Sequence, residues 1–208
     1  MTRTLYVIGS AAPPVRRIAH GIRLAQAAGW DTCLVLTPYA HRWAVEDPDP
    51  SLGFGIEQLQ ELTGHPVRWQ YKLPSQQDVL PPADAFLSVP LTFNTLNKWA
   101  DGHSDTLAVG LLTEALGLAH RPPIVALPHW NDAQAAHPVV ARNVAALRGA
   151  NVNVLLGGEA GFHPHPPGRS RPDTYPWEAA IAALPSPSRH RRQAVDPRAL
   201  KGRRAPVA

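Results

Sequence analysis

The chain has 208 residues, 44% of them hydrophobic and 17% charged, which is one domain of ordinary size with a core large enough to need no disulfide or metal staple. A single cysteine, Cys33, excludes an intramolecular disulfide and a multi-cysteine zinc site, and it fits a reducing, cytoplasmic setting. The net charge of +4 is concentrated at the end: residues 185–208 carry seven basic residues against Asp196, a net +6, which leaves −2 on the rest and argues against a nucleic-acid-binding body.

In chain order, Leu5 to Ile8 is a short apolar run that ends at Gly9-Ser10 and reads as a strand. Nothing before it resembles a secretory signal, and no stretch of 18 apolar residues offers a membrane span. Residues 14–28 are expected to be helical, with Val15, Ile18, Ile22 and Ala25 at helical spacing, prolines at the first turn and Gly29 at the end. Thr32 to Leu36 is a second strand and Tyr39 to Val45 a short helix. After the loop at Asp47-Pro48-Asp49-Pro50 come a helix over Ile56 to Leu62 and a strand over Val67 to Tyr71. Ala85 to Val89 is a strand, followed by a helix to Ala100 and another over Asp105 to Leu118, with His103 and Asp105 read as its caps. Ile124 to Leu127 is a strand, Pro138 to Leu147 a helix and Val152 to Leu156 a strand.

Proline makes up 23 of 208 residues, and seven of these fall between His163 and Pro187. Such a stretch holds neither a helix nor a central strand. It reads as an extended arm with one short helix near Trp177 to Leu184, able to wrap a neighbouring subunit. From residue 185 a basic, disordered tail is expected. A solvated tail is the plainer reading; non-specific contact with RNA or anionic lipid is the alternative. The expected division is therefore a body over 1–160, an arm over 161–184 and a tail over 185–208.

The alternation of strand and helix predicts an α/β fold: a three-layer, doubly wound parallel sheet of the Rossmann or flavodoxin-like kind in a single domain. Runs such as Ile124-Val125-Ala126-Leu127 suit strands covered on both faces. Ligands in such sheets sit beyond the carboxyl ends of the strands, where strand order reverses. The residues to read are therefore Gly9-Ser10-Ala11, Thr37-Pro38, Pro90 to Thr95 and Pro128 to Asn131. Three of these four turns carry hydroxyl or amide side chains beside small residues or proline. Where such a turn opens a helix it offers N–H groups suited to a phosphate, although Gly and Ser also serve merely as turn and cap residues.

The most specific segment is Pro90-Leu91-Thr92-Phe93-Asn94-Thr95, continued by Lys98, Gly102, Asp105 and Leu107. It resembles the strand-end signature of the homo-oligomeric flavin-containing cysteine decarboxylases, the flavoprotein family that includes enzymes like phosphopantothenoylcysteine decarboxylase. Pro128-His129-Trp130-Asn131, with Pro138 and Asn143 after it, is similar to that family's second segment. The likeness covers roughly residues 4–158.

The resemblance implies FMN as cofactor, a small-molecule substrate and a homo-oligomer built on trimers. It implies contacts to the flavin phosphate and ribityl chain from Ser10 and Thr37, with Gly9 and Ala11 beside Ser10. Pro90, Thr92, Asn94 and Thr95 would form the loop along the isoalloxazine, and Asn131 would lie in the segment that clamps the substrate. The implied reaction is oxidative decarboxylation of a cysteinyl or other carboxylate, with Asn94, Asn131 and His129 as candidate catalytic residues.

Two departures stand out. The family's acid/base histidine falls near Gln76, and no histidine lies between His65 and His103. The methionine of the second segment is Trp130, and the methionine–tryptophan pair that follows in the family is Gln134-Ala135. A non-catalytic flavin-binding or regulatory subunit acting through partner proteins is thus the rival reading. His163 and His165 read as loop residues rather than metal ligands, Trp130 as the tryptophan with reason to approach the ring, and Cys33 as an inert buried thiol. No Gly-x-Ser-x-Gly elbow, dinucleotide fingerprint or Walker loop occurs.

Overall fold

The computed structural model describes residues 3–77 and 79–186. Strands β1 (Arg3–Gly9), β2 (Trp30–Leu36), β3 (Ala85–Leu91), β4 (Ile124–Pro128) and β5 (Asn153–Val154) form one sheet in the order β2-β1-β3-β4-β5. Every neighbouring pair is parallel. All seven residues of β3 and all five of β4 are buried, as a sheet with layers on both faces requires. The chain leaves β1 for β2 on one side and then returns to β3 on the other. The strand order therefore reverses between β1 and β3, where a crevice opens at the carboxyl rim. This is the doubly wound, flavodoxin-like architecture expected from the sequence.

The helices are α1 (Ile18–Ala27), α2 (Pro38–Glu46), α3 (Ile56–Thr63), α4 (Phe93–Ala100), α5 (Leu107–Gly117), α6 (Asp132–Ala135), α7 (Pro138–Gly149) and α8 (Trp177–Ala182). The first expected helix is split: residues Pro13–Arg17 form a 3-10 turn ahead of α1. Such 3-10 turns are common at the start of an α-helix. Residues 67–71 do not form the expected strand. Arg68 alone bridges Val35, its N–H donating to Leu34 O at 3.0 Å, and Trp69 then turns to stack on His41 at 4.5 Å. Thr106, not His103 or Asp105, caps α5 by accepting from Val109 N–H, while Asp105 is ion-paired with Lys98.

The proline-rich arm folds back onto its own chain. Phe162, Tyr175, Trp177 and Leu184 join the same buried cluster as the sheet. The Tyr175 hydroxyl donates to Leu127 O at 2.6 Å, and Asp132 N–H donates to His165 O at 2.9 Å. Helix α8 lies so close to α1 that a Cβ on Gly21 would come within 2.3 Å of Trp177, which is why glycine stands there. Of the expected basic tail, residues 187–208 lie outside the described residues. Among the described residues no helix is long and apolar enough to cross a membrane.

Candidate functional site

A cavity of about 740 Å³ occupies the crevice at the β1/β3 reversal, a size common for small-molecule sites. It is walled by the turns after β1, β2, β3 and β4, by the start of α5, and by the arm.

Part of the wall is formed and backed by a cluster of three hydroxyls. Thr92 caps α4: its Oγ1 accepts from Thr95 N–H at 3.2 Å and donates to Thr95 Oγ1 at 2.9 Å. Ser10 Oγ donates to the same Thr95 Oγ1 at 3.1 Å. Three hydroxyl protons serve two links, so one donor remains uncommitted. With Thr95 accepting twice, that donor is its own O–H. Thr95 is buried yet lines the cavity, so the free donor belongs to the wall.

Asn94 is exposed, lines the same wall and makes no side-chain hydrogen bond among the described residues. The starts of α4 and α5 both face the cavity through Thr92 and Thr106, with Lys98 near them. Their partial positive charge suits an anionic group.

The residues of the turns after β1 and β2 divide between the cavity lining and the layer behind it. Ala11 and Thr37 line the cavity, and the Thr37 hydroxyl caps nothing. Gly9, Ser10 and Pro90 stand behind the wall and position it. A Cβ on Gly9 would lie 2.7 Å from Ile18 Cδ1 and 2.8 Å from Leu36 Cδ2. Ser10 N–H donates to Pro90 O at 3.1 Å, next to the cis Val89–Pro90 peptide. Pro13 and Pro14 remove two N–H groups from the following turn, leaving the Ala11 N–H as its uncommitted backbone donor among the described residues.

The turn after β4, neighbouring the turn after β3, brings His129, Trp130 and Asn131 to the cavity, and the arm adds His165 and Ser170. His129 N–H donates to Leu91 O at 2.9 Å, and its Nε2 is 3.2 Å from Ser170 Oγ. Burial, reinforced by nearby His165, pushes the His129 pKa down to about 4, so the ring is neutral at physiological pH. Asn131 caps α6 in a reciprocal pair with Gln134, which occupies its Oδ1 and leaves its amide N–H₂ without a partner among the described residues.

His165 Nδ1 lies 3.0 Å from Pro166 O and donates to it, while Nε2 is buried with no partner among the described residues. Trp130 Nε1 is likewise buried and unmet. A second cavity of about 780 Å³ lies across His129 and His165, which line both spaces.

The structure thus brings Ala11, Thr37, Thr92, Asn94, Thr95, His129 and Asn131 to one cavity. His165, expected as a loop residue, and Ser170 join them from the proline-rich arm. The three aromatics Phe162, Tyr175 and Trp177 were the available signal, since a solvated arm has no use for them. Among the described residues no group of three or more His, Cys, Asp or Glu is placed to hold a metal. Cys33 lies in β2, where burial and Asp31 push its thiol up to about 12.

Comparison with known proteins agrees with this architecture. Residues 55–173, more than half of the chain, match the Flavoprotein family. The Coenzyme A biosynthesis bifunctional protein CoaBC of Thermococcus kodakarensis is 27% identical over 138 residues, which are 66% of this chain and 30% of that protein. The match therefore covers less than a third of that relative's length.

Among solved structures, the FMN-dependent cysteine decarboxylase SpaF aligns with a TM-score of 0.58 at 22% identity, covering 74% of this chain and 83% of its own. The epidermin biosynthesis protein EpiD from Staphylococcus aureus aligns at 0.57 and 18% identity, over 73% of this chain and 81% of its own. A dodecameric FMN-dependent UbiX-like decarboxylase from Escherichia coli O157:H7 aligns at 0.58 and 14% identity, over 86% and 87%. At these identities the likenesses establish a shared fold, and the family match goes further: this chain belongs to the flavoprotein family.

Proposed function

We propose that the rim cavity binds FMN and that the protein is a decarboxylase-type flavoenzyme acting on a carboxylate, with cysteinyl carboxylates as the first candidates. The observation that carries this reading is the uncommitted donor of the Ser10–Thr92–Thr95 cluster, set in a cavity of about 740 Å³ at the sheet's reversal point. The residues present fit such a cofactor. Hydroxyls and the starts of α4 and α5 suit a phosphate and a polyol chain, and Trp130 and Asn94 offer N–H groups to ring acceptors. The loss of two N–H groups at Pro13 and Pro14 shifts the phosphate's donors toward side-chain hydroxyls.

When bound, the flavin supplies a two-electron acceptor for substrate oxidation. The chain's own part is orientation and proton handling. The Asn131 amide N–H₂ can donate to a substrate carboxylate. His165 Nε2 can take a proton, and the neutral His129, linked to Ser170, fixes the wall between them. Residues 1–160 hold the cofactor in this reading and residues 161–184 close the site. Tyr39, 66% exposed, lines the cavity, in keeping with a trimer-based homo-oligomer whose next subunit covers it. One buried thiol and no disulfide suit the cytoplasm.

A non-catalytic flavin-binding subunit is the second reading. The low His129 pKa favours it, because a ring of about 4 is a weak base at neutral pH. Anaerobic mixing of the FMN-loaded protein with cysteinyl carboxylates separates the two. Bleaching of the flavin band at roughly 450 nm with release of carbon dioxide supports the enzyme. A protein that holds FMN but bleaches with no thiol acid, and retains a partner on pull-down, supports the subunit. A folded protein that takes up no FMN refutes both.

A further inference from the structure

Three tryptophans bury an indole N–H that meets no acceptor among the described residues: Trp99, Trp130 and Trp177. Only Trp130 of these lines the rim cavity, and it is 2% exposed. An indole nitrogen donates and never accepts, so nothing but an incoming acceptor can satisfy it. The ring is not free to seek one elsewhere. Phe162 packs edge-on against it at 6.4 Å, and both chain neighbours are pinned, His129 by its N–H to Leu91 O and Asn131 by the α6 cap.

The surroundings decide the kind of acceptor. The hydroxyls and the starts of α4 and α5, which suit a phosphate, belong to other turns than the one that carries Trp130. Trp130 sits among Phe162 and the neutral His129, where a neutral oxygen or nitrogen is better accommodated than an anion. We propose that Trp130 is a cofactor-binding residue whose Nε1–H donates to a heteroatom of the isoalloxazine ring. This rests on the flavin reading of the cavity given above.

A donor of this kind has an unusual mutational signature. Removing it relieves an unmet group in the free protein while taking a contact from the complex. Trp130→Phe keeps an aromatic ring and loses the N–H. The free variant should unfold at or above the wild-type temperature, and its FMN dissociation constant, read by quenching of flavin fluorescence, should rise about tenfold. Trp177→Phe is the control, because that indole is equally unmet but lines neither cavity. It should leave FMN binding unchanged.

The proposal is overturned if Trp130→Phe binds FMN as wild type does, if its stability and affinity fall together, or if Trp177→Phe weakens binding as much. Should Trp130→Phe fail to fold, wild-type protein labelled with ¹⁵N at the indole nitrogens gives the answer. FMN must then move the Trp130 N–H resonance downfield and leave that of Trp177 in place; an unmoved Trp130 signal overturns the assignment. A wild-type protein that takes up no FMN fails one step earlier, at the flavin reading itself.

Discussion

The rings of His129 and His165 stand 5.1 Å apart, their planes tilted by 48°. Burial first, and this neighbour second, bring the His129 pKa from 6.5 to about 4. Between those values the unfolded chain binds a proton that the folded chain does not. Stability is therefore full above pH 6.5 and declines as pH falls toward about 4. A shift of this size is worth about 3 kcal/mol. Urea unfolding near pH 7 and near pH 4.5 should show His129→Gln losing about 2 kcal/mol less than wild type over the interval. Equal losses would clear His129 of responsibility.

Thr95 is the hub of the hydroxyl cluster, accepting from both Ser10 and Thr92. Thr95→Val strands the Ser10 hydroxyl, which is 1% exposed. The expected cost is about 1–3 kcal/mol in urea unfolding. On the flavin reading, FMN affinity should fall about tenfold as well. Loss of stability with full affinity would make the cluster a structural device only.

Gly9 is demanded by packing. The Cβ of alanine would meet Ile18 Cδ1 at 2.7 Å and Leu36 Cδ2 at 2.8 Å, both from fully buried side chains. Gly9→Ala should destabilise by about 1–3 kcal/mol in thermal unfolding. Adding Ile18→Val, which removes the crowding methyl, should recover part of that loss.

The arm is tied to the sheet by the Tyr175 hydroxyl on Leu127 O at 2.6 Å. Tyr175→Phe removes that tie at a cost of about 1–2 kcal/mol. Local opening should then be about tenfold more frequent. Trypsin reads this directly, since Arg169, followed by Ser170, is exposed in the arm. The variant should be cut there faster than wild type while the sheet stays intact; an unchanged rate would mean that other contacts hold the arm.

The sheet was readable because β1, β3 and β4 are apolar on both faces, and a short, continuous apolar run between turn residues fits a covered strand better than any surface element. The turns that wall the cavity were readable for the related reason that strand ends in such a sheet converge. Residues 67–71 misled because Val67, Trp69 and Tyr71 alternate as a strand does, while Trp69 finds its partner in His41 instead. Asp105 misled because a carboxylate near a helix start reads as a cap, whereas here Lys98 claims it. That His165 and Ser170 line the cavity is not legible in the sequence. Their place depends on where a proline-rich segment lands, and that is set by Tyr175 and Trp177 packing into the core under the sheet.

His129 and His165 belong to two chambers at once. A guest large enough to press on either imidazole from one side takes room from whatever occupies the other. Crowding in one chamber is thereby felt next door, with no hinge, no moving domain and no longer route than a single party wall.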